Sequence, residues 1–251
     1  MLLKKALFLI TSENEIEPLV NFATEFKKKY KVEIDAMYVK DILKYEIFPA
    51  TIEGVGINLG SSYAFREYKE LEDKKYSAIE EKIKNSFSKV FSRDGETVET
   101  TLEELKRYDL LAVVKNEKVS QNLKELLRSN FKPMIILPNK KEFNLEKLLL
   151  LDDGAYNANK TLFTFFYIFD EQKIDVLRVN IDSNDDLQER FGKNYNIVRK
   201  EGDPLKVIME ESKNYDFILM GDLRYTVMVE RITGKLGIRL LEGLDKPIFI
   251  V

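Results

Sequence analysis

Short apolar runs alternate with amphipathic segments along the first part of the chain. The runs predict strands at residues 6–10, 32–39, 97–101, 110–114 and 134–137. Between them, apolar residues recur at helical spacing, as in Ile16, Leu19, Val20, Ala23 and Phe26. The helical segments include a long charged one at 63–91 and shorter ones at 102–108 and 120–128. Because parallel strands need crossover connections, this alternation predicts a mostly parallel sheet with helices on both faces.

The same alternation begins again after about residue 140. Strands are predicted at residues 147–151, 174–179, 197–200, 217–220 and 248–251, with helices at 157–169 and 204–214 and another before the last strand. The length of 251 residues suits either one large domain or two of modest size. The repeated alternation favours two.

Three pairs of segments also match residue by residue, in the same order in both parts. They are residues 34–39 with 174–179, 108–111 with 215–218, and 126–135 with 240–249. Each pair occupies equivalent places in the two series of strands and helices. The chain is therefore predicted to be two tandem copies of one α/β domain, residues 1–140 and 141–251, joined near residues 138–143.

The two copies differ in length at two places. Between the second and third matching segments, the second copy has seven additional residues, which lie in a glycine-containing loop from Gly221 to Gly234. The corresponding loop of the first copy, residues 114–120, has no glycine. Conversely, the first copy is longer in its middle, where a glycine-rich loop at 54–60 precedes the long charged helix.

The loop from Gly221 to Gly234 is the best candidate site in the chain. It follows the apolar run at 217–220 and leads into a helical segment, which gives the order strand, glycine loop, helix. At the carboxyl end of a strand in an open α/β sheet, such a loop can present backbone N–H groups to a phosphate.

The amino-acid composition excludes several kinds of catalytic and metal-binding groups. The sequence contains no cysteine and no histidine, which excludes thiol nucleophiles, disulfides and histidine bases or metal ligands. Forty basic residues are mixed with 43 acidic ones, so no strong positive field would attract nucleic acid. The apolar start of the chain contains Lys4 and Lys5 and predicts a buried strand, and no apolar run is long enough to cross a membrane. The lack of cysteine fits a cytoplasmic protein.

The second copy resembles the universal stress protein family, and the whole chain resembles its tandem two-domain form. The segment 147–154, KLLLLDDG, is similar to the first strand of that family, which ends on an aspartate and a glycine. Gly202-Asp203-Pro204, the helix that follows and the strand before Gly221 are similar to that family's third strand, helix and fourth strand. Lys246-Pro247 with four apolar residues is similar to its last strand. The first copy matches mainly in the order of its elements.

This resemblance implies two tandem Rossmann-like domains of the adenine nucleotide alpha-hydrolase-like type, each an open, mostly parallel five-stranded sheet. It also implies that ATP or AMP binds the second copy. Asp153 would face the adenine, Val179 would make backbone contacts to it, and Gly221 and Gly234 would lie beside the ribose and phosphates. In the first copy Thr11 replaces the aspartate and the loop is short, which implies that no standard nucleotide site exists there.

ATP-binding members of the family carry a motif of three glycines followed by serine or threonine. Here Arg224 stands at the second glycine position and Lys235 replaces the hydroxyl residue. An arginine prevents close approach of the backbone to a phosphate but adds a positive charge. Two interpretations stay open: Arg224 and Lys235 clamp a phosphate by charge, or they fill the pocket.

Structural explanations compete with the functional ones. Asp152 and Asp153 are also typical of a turn and a helix N-cap, and Gly221 and Gly234 of a loop glycine and a helix-end glycine. The glycines at 54–60 have two interpretations, a loop that leads into a helix capped by Ser61 and Ser62, or a cradle for an anion. The first is favoured.

Three function hypotheses follow. The first is a non-catalytic, cytoplasmic stress-response or regulatory protein that binds an adenine nucleotide in its second copy. By resemblance, residues 134–137 would pair with 248–251 within the chain, and two chains would form a dimer. The second is a protein-interaction module without a small ligand. The third is an enzyme of the alpha-hydrolase type, which is disfavoured because neither residues 11–13 nor 153–155 supply the Ser-Gly-Gly signature that it needs.

Overall fold

The computed structural model describes residues 4–41, 59–182, 187–221 and 236–251. Ten strands in this part of the chain form one sheet: β1 (Lys4–Ile10), β2 (Val32–Asp41), β3 (Lys89–Gly95), β4 (Leu110–Lys115), β5 (Met134–Pro138), β6 (Leu148–Leu151), β7 (Ile174–Val179), β8 (Tyr195–Lys200), β9 (Phe217–Met220) and β10 (Ile248–Ile250). The helices are α1 (Ile16–Lys29), α2 (Leu59–Ile83), α3 (Thr97–Leu105), α4 (Gln121–Ser129), α5 (Tyr156–Phe169), α6 (Leu187–Phe191), α7 (Pro204–Glu211) and α8 (Leu236–Gly243).

The sheet has the strand order β3-β2-β1-β4-β5-β10-β9-β6-β7-β8. Within each half, β1 to β5 and β6 to β10, all neighbouring strands are parallel. The predicted α/β fold with two five-stranded parallel halves is thus confirmed. The strand order reverses between β1 and β4 in the first half and between β6 and β9 in the second, which makes these the two switch points of the sheet.

The halves join through their last strands. β5 and β10 pair antiparallel, with Met134 opposite Ile250 and Ile136 opposite Ile248. This confirms the predicted pairing inside the chain. Because an unpaired strand edge is prone to aggregation, the junction protects two edges at once and leaves β3 and β8 at the ends of the sheet.

Residues of each strand alternate between two apolar layers. One layer contains Phe8, α1, α2 and α5, and the other contains Leu7, α3, α4, α7 and α8. Helices therefore cover both faces, as predicted. On the first face, aromatic rings connect the halves. The ring centroids of Phe26 in α1 and Phe169 in α5 are 5.3 Å apart, and those of Tyr30 and Phe169 are 4.6 Å apart.

The internal repeat has a structural basis in one tyrosine–aspartate hydrogen bond per half. Tyr108 donates its hydroxyl hydrogen to Asp35 Oδ2 at 2.9 Å, and Tyr215 donates to Asp175 Oδ2 at 2.8 Å. Both bonds connect the residue two positions before the fourth strand of a half to the second strand of that half. They explain two of the three matching segments.

The aspartate after each of these tyrosines also has an equivalent role. Asp109 accepts a hydrogen bond from the Lys5 amide at 2.9 Å, and Asp216 accepts one from the Lys147 amide at 2.9 Å. The strand registers agree, because Ala6 lies opposite Ile34 and Leu148 lies opposite Ile174. The first, second and fourth strands of the two halves are therefore in the same register, at a spacing that makes Thr11 equivalent to Asp153.

The third strand and the helix after it were predicted in the wrong place. β3 lies at Lys89–Gly95, so residues 89–91 fall in the segment predicted as the end of a long helix. Residues 97–105 form α3, although a strand was expected at 97–101 and a helix only at 102–108. The local run Thr97 to Thr101 is rich in β-branched residues, which favours a strand. The Glu96 carboxylate overrides this preference because it accepts hydrogen bonds from the amides of Val98 and Glu99, which starts a helix.

Two further segments depart from the sequence interpretation. α2 already includes Leu59 and Gly60, so Ser61 and Ser62 lie within the helix and neither caps it. Residues 54–58 of the glycine-rich loop lie outside the described residues. α6 and the 3₁₀ turn Gly192–Asn194 were not predicted.

Candidate functional site

The candidate nucleotide site of the second half lies at the carboxyl edge of its parallel strands. β6, β7 and β9 end side by side, with Leu151 opposite both Leu177 and Met220. Asp153, Val179 and Gly221 therefore come to the same edge, beside the switch point between β6 and β9. Ligands of open α/β sheets commonly bind at this position.

Asp152, and not Asp153, makes the strongest interaction at the end of β6. Asp152 Oδ2 accepts a hydrogen bond from Arg178 Nε at 2.7 Å, and both side chains are 4% exposed. Asp152 Oδ1 accepts a second hydrogen bond, from the Gly154 amide at 2.9 Å. This buried ion pair holds the turn after β6 against β7. The sequence analysis assigned no role to Arg178, because spacing along the chain does not reveal a partner 26 residues away.

Asp153 itself is exposed and forms a local turn. Its Oδ1 accepts a hydrogen bond from the Ala155 amide at 3.0 Å, while Ala155 is the N-cap residue of α5. The next residue, Gly154, has φ of +78°, and a Cβ there would lie 3.3 Å from Ile181 Cγ2. The loops after β6 and β7 thus touch, and Asp153 remains accessible at the sheet edge.

The backbone polar groups of Val179 face the side of β7 on which β6 lies. Leu177 O accepts a hydrogen bond from the Asp152 amide at 3.0 Å, and the Asn180 amide donates to Lys200 O at 2.9 Å. Backbone groups of successive strand residues face opposite neighbours, so Leu177 and Val179 both face the β6 side. Since β6 makes its last hydrogen bond at Leu177, the N–H and C=O of Val179 extend beyond it.

Gly221 follows β9 and packs against the start of α5. A Cβ at Gly221 would lie 3.2 Å from Asn157 Cβ and 3.4 Å from the Asn157 carbonyl carbon, closer than most side chains tolerate. The glycine therefore permits close approach of helix and strand, a packing reason that does not need a ligand. Arg224, Gly234 and Lys235, the remaining predicted site residues, lie outside the described residues.

An open cleft of about 690 Å³ lies beside this edge, at the ends of β7 and β8. Arg199 and Lys200 line it, together with Asn180. Asn180 has φ of +58° and exchanges two hydrogen bonds with the backbone of Gly202, at 2.8 and 2.9 Å. The cleft is two strands further out than the switch point between β9 and β6, and neither Asp153 nor Val179 lines it. The sequence analysis did not identify it.

The described ranges contain neither a candidate metal site nor a candidate membrane-spanning helix. Residues 4–41, 59–182, 187–221 and 236–251 contain no group of three or more histidine, cysteine, aspartate or glutamate residues arranged to hold a metal ion. None of the helices described there is both long and apolar enough to cross a membrane.

Comparison with known proteins identifies the fold. No protein-family model matches the sequence, and no curated protein matches it. The structure is similar to that of a universal stress protein from Archaeoglobus fulgidus, with a TM-score of 0.71 and 16% identity, covering 98% of this chain and 97% of that one. A putative universal stress protein from Pseudomonas aeruginosa matches with a TM-score of 0.62 and 10% identity, covering 99% of this chain and 93% of that one.

The chain has the universal stress protein fold. A functionally unknown protein from Pseudomonas aeruginosa PAO1 also shares it, with a TM-score of 0.56, 10% identity and coverage of 99% and 92%. These matches extend over nearly the whole chain, so both halves of the ten-stranded sheet belong to the shared architecture. At such low identity they define the fold alone.

The first half of this universal-stress-type fold has a different carboxyl edge. Thr11 occupies the place equivalent to Asp153, and its amide and hydroxyl donate to Glu15 at 2.6 and 2.7 Å. The Ser12 amide also donates to Glu15, at 3.3 Å. Burial raises the pKa of the Glu15 carboxyl above its usual range, although these hydrogen bonds act in the opposite direction.

Proposed function

We propose that the second half of this protein binds an adenine nucleotide, ATP or AMP, at the carboxyl edge of β6, β7 and β9. In this proposal the protein is a non-catalytic cytoplasmic regulator of the stress-response type, and nucleotide occupancy is its signal. The observation that carries the proposal is the position of exposed Asp153 and of Val179 at one edge of the sheet, beside the switch point, where β6 and β7 end in register.

The chemistry of this edge suits an adenine ring. An adenine has an exocyclic amine that donates hydrogen bonds and ring nitrogens that accept them. A carboxylate such as Asp153 accepts from the amine, and a strand backbone supplies both a donor and an acceptor in one plane. Val179 supplies such a pair because its N–H and C=O extend beyond the last β6–β7 hydrogen bond. The two predicted base contacts therefore have the required polarity and share one edge.

The phosphates would then lie towards the loop between β9 and α8. Gly221 brings the end of β9 close to the start of α5, and the loop continues from there through Arg224 to Gly234 and Lys235. We assign Arg224 and Lys235 to the phosphates as cationic contacts, in place of the backbone amides that a glycine would expose.

The first half acts as the structural and regulatory partner of the second. Residues 1–140 and 141–251 are proposed as the two domains, and β5–β10 pairing with the ring contacts of α1 and α5 holds them together. A conformational change in one half would then be transmitted to the other. Two such chains are proposed to form a dimer.

Thermal-shift and calorimetric titrations of the full chain with ATP, ADP and AMP test the proposal. A nucleotide at about a hundred times its dissociation constant should stabilise the protein by roughly 2.7 kcal/mol. Asp153→Ala is expected to weaken binding, whereas Asp94→Ala, which removes an exposed aspartate at the carboxyl edge of the first half, should not.

A second variant tests the backbone contact. Val179→Pro removes the N–H that faces the ligand but none of the β7–β8 hydrogen bonds, so it should weaken nucleotide binding while circular dichroism still reports a folded chain. Full affinity in both Asp153→Ala and Val179→Pro would contradict the assigned site.

The alternative is a protein-interaction module without a small ligand, in which Arg224 and Lys235 fill the pocket. It is favoured by the structural explanations that Gly221 and Asp153 already have, in packing against Asn157 and in the turn before α5. Absence of a shift with all three nucleotides, together with normal folding, would support this alternative.

A further inference from the structure

The first half contains a small cavity at its own switch point, between the carboxyl ends of β1 and β4. Its volume is about 140 Å³. Leu9, Val113 and Leu123 form apolar walls, Glu15 and Thr11 form a polar side, and Asn116 is exposed at its edge. A cavity of roughly 150 Å³ can hold a ligand the size of benzene, with about six non-hydrogen atoms.

Glu15 is an unusual group to find in this wall. It is 6% exposed, yet its hydrogen-bond donors are all uncharged: the amides and the hydroxyls of Thr11 and Ser12. In the part of the chain that the structure describes, no lysine or arginine forms an ion pair with it. Buried carboxylates are normally paired with a cation, so the fold leaves a negative charge that a ligand could neutralise.

The surroundings of the cavity also favour a cation over an anion. Its described lining contains no lysine or arginine. The nearby Lys115 is buried but directs its ammonium group to Glu242 O at 3.2 Å, at the end of α8. At the start of α4, the backbone N–H of Leu123 already has an acceptor, because it donates a hydrogen bond to Ser120 Oγ at 3.2 Å. A phosphate or carboxylate would therefore face Glu15 without a compensating charge.

The geometry points to a binding site for a small primary alkylammonium ion in the first half. Its nitrogen would lie against Glu15, and its short aliphatic chain would pack on Leu9, Val113 and Leu123. An ammonium group has three N–H donors and a positive charge, so it would replace the uncharged hydroxyl donors of Thr11 and Ser12 with charge-assisted hydrogen bonds to the carboxylate. This site lies in the other half from the proposed nucleotide site and needs a ligand of opposite charge, so it does not depend on that proposal.

The test is a calorimetric and ligand-observed NMR titration of the full chain with n-butylammonium, 1-butanol and butyrate. These probes have similar length but carry positive, neutral and negative head groups. We expect n-butylammonium to bind at least about tenfold more tightly than 1-butanol, the difference expected for one hydrogen bond to a charged group, and butyrate not to bind. Equal affinity for n-butylammonium and 1-butanol would overturn the proposal, and so would displacement of n-butylammonium by an equal concentration of potassium ions.

Variants of the 3₁₀ turn Glu13–Glu15 supply matched controls. Glu15→Gln keeps the shape and an acceptor oxygen but removes the charge, so it should abolish the preference for ammonium over alcohol. Glu13→Gln makes the same chemical change at an exposed position two residues earlier and should leave the preference unchanged. Glu15→Asp, which withdraws the charge by one methylene, should give an intermediate affinity if Glu15→Gln does not fold.

Asp153→Ala separates this site from the proposed nucleotide site. It should leave n-butylammonium binding intact, because Asp153 lies at the carboxyl edge of the other half. Retention of ammonium selectivity by a folded Glu15→Gln protein would refute the site, whatever the result with nucleotides.

Discussion

The two halves share one framework but have different carboxyl edges. Within the framework, Tyr108 and Tyr215 make equivalent hydrogen bonds, and the strands pair in the same register. At the edges, Glu15 accepts hydrogen bonds from the loop after β1, whereas Asp152 pairs with Arg178 after β6. The internal repeat therefore defines the scaffold, and each edge has to be interpreted from its own contacts.

The edges also differ in the residue that stands at the end of the fourth strand. Val114 occupies the place at the end of β4 that Gly221 occupies after β9. In the second half the absence of a side chain lets α5 lie against the strand, and the loop that follows is longer. In the first half a small cavity bordered by Val114 and Glu15 lies at this position. The same fold thus gives two carboxyl edges that are bordered by different side chains.

The largest expected effect comes from breaking the buried ion pair of the second half. Arg178→Ala leaves the Asp152 carboxylate buried without its cation, which should lower the free energy of unfolding by roughly 3–5 kcal/mol. The equivalent first-half residue, Tyr38, donates to Glu72 at 2.6 Å, and Tyr38→Phe should cost only about 1–2 kcal/mol because Lys75 still pairs with Glu72.

Chemical denaturation of both variants measures this difference. A double variant, Asp152→Asn with Arg178→Met, serves as the control, because removing both charges should recover much of the lost stability. A loss as large in Tyr38→Phe as in Arg178→Ala would contradict the assignment of the main buried charge pair to the second half.

The two repeated tyrosines are expected to differ in how much their hydroxyl groups stabilise the protein. Tyr108→Phe should lower the free energy of unfolding by roughly 2–3 kcal/mol. Among the residues that the structure describes, Asp35 Oδ1 is buried and has no hydrogen-bond partner, and Oδ2 would lose its own. Tyr215→Phe should cost about 1–2 kcal/mol, because Asp175 Oδ1 still accepts from Asn196 at 3.1 Å. Denaturation midpoints of the two single variants decide the order, and equal losses would show that the unpaired oxygen is unimportant.

A smaller effect is expected from adding a side chain at the end of β9. Gly221→Ala places a methyl group 3.2 Å from Asn157 Cβ, and the helix backbone beside it cannot move easily. Overpacking of this kind typically costs about 1–3 kcal/mol, and we expect a value near the lower end. Val114→Ala, which also places an alanine at the equivalent position of the first half, is the control, because it removes atoms and adds no clash. An increase in melting temperature for Gly221→Ala would mean that α5 can shift away from the sheet.

The smallest effect concerns the pH dependence of Glu15. Burial raises the pKa of this carboxyl in the folded state, so the folded protein binds the proton more tightly than the unfolded chain does. The contribution of Glu15 to stability is therefore present at low pH and is lost as pH rises through the raised pKa. Glu15→Gln should be slightly more stable than the unmodified protein at about pH 7, and the difference should shrink by about pH 5.

Melting temperatures of both proteins across this pH range measure the difference. Glu13→Gln is the control, because this exposed side chain should change stability by no more than about 0.5 kcal/mol at any of these pH values. A difference between Glu15→Gln and the unmodified protein that grows towards low pH would contradict the assigned sign.

Sequence patterns were sufficient for most of the scaffold. Two strands, Ile174–Val179 and Phe217–Met220, have the predicted bounds, and the pairing of β5 with β10 is confirmed. The prediction was wrong at β3 and α3, where the Glu96 cap outweighs the strand preference of Thr97 to Thr101. Local preference decides an element only when no specific contact opposes it.

The candidate site was predicted in part. Strand ends placed Asp153, Val179 and Gly221 at one edge, because parallel strands with short loops end together. Arg178 and Glu15 were missed. A buried charge has no periodic signal in the sequence, and its partner, or the lack of one, depends on how distant segments meet.

Alternation of apolar and polar positions follows directly from local geometry, so the sequence was enough to predict the order of strands and helices except α6, the internal repeat and the strand ends that carry polar residues. Only the tertiary structure decided which of Asp152 and Asp153 is buried, that Glu15 has no cation beside it in the described part of the chain, and that a cavity lies next to it. These properties depend on the burial of charge, and burial is a property of the packed molecule.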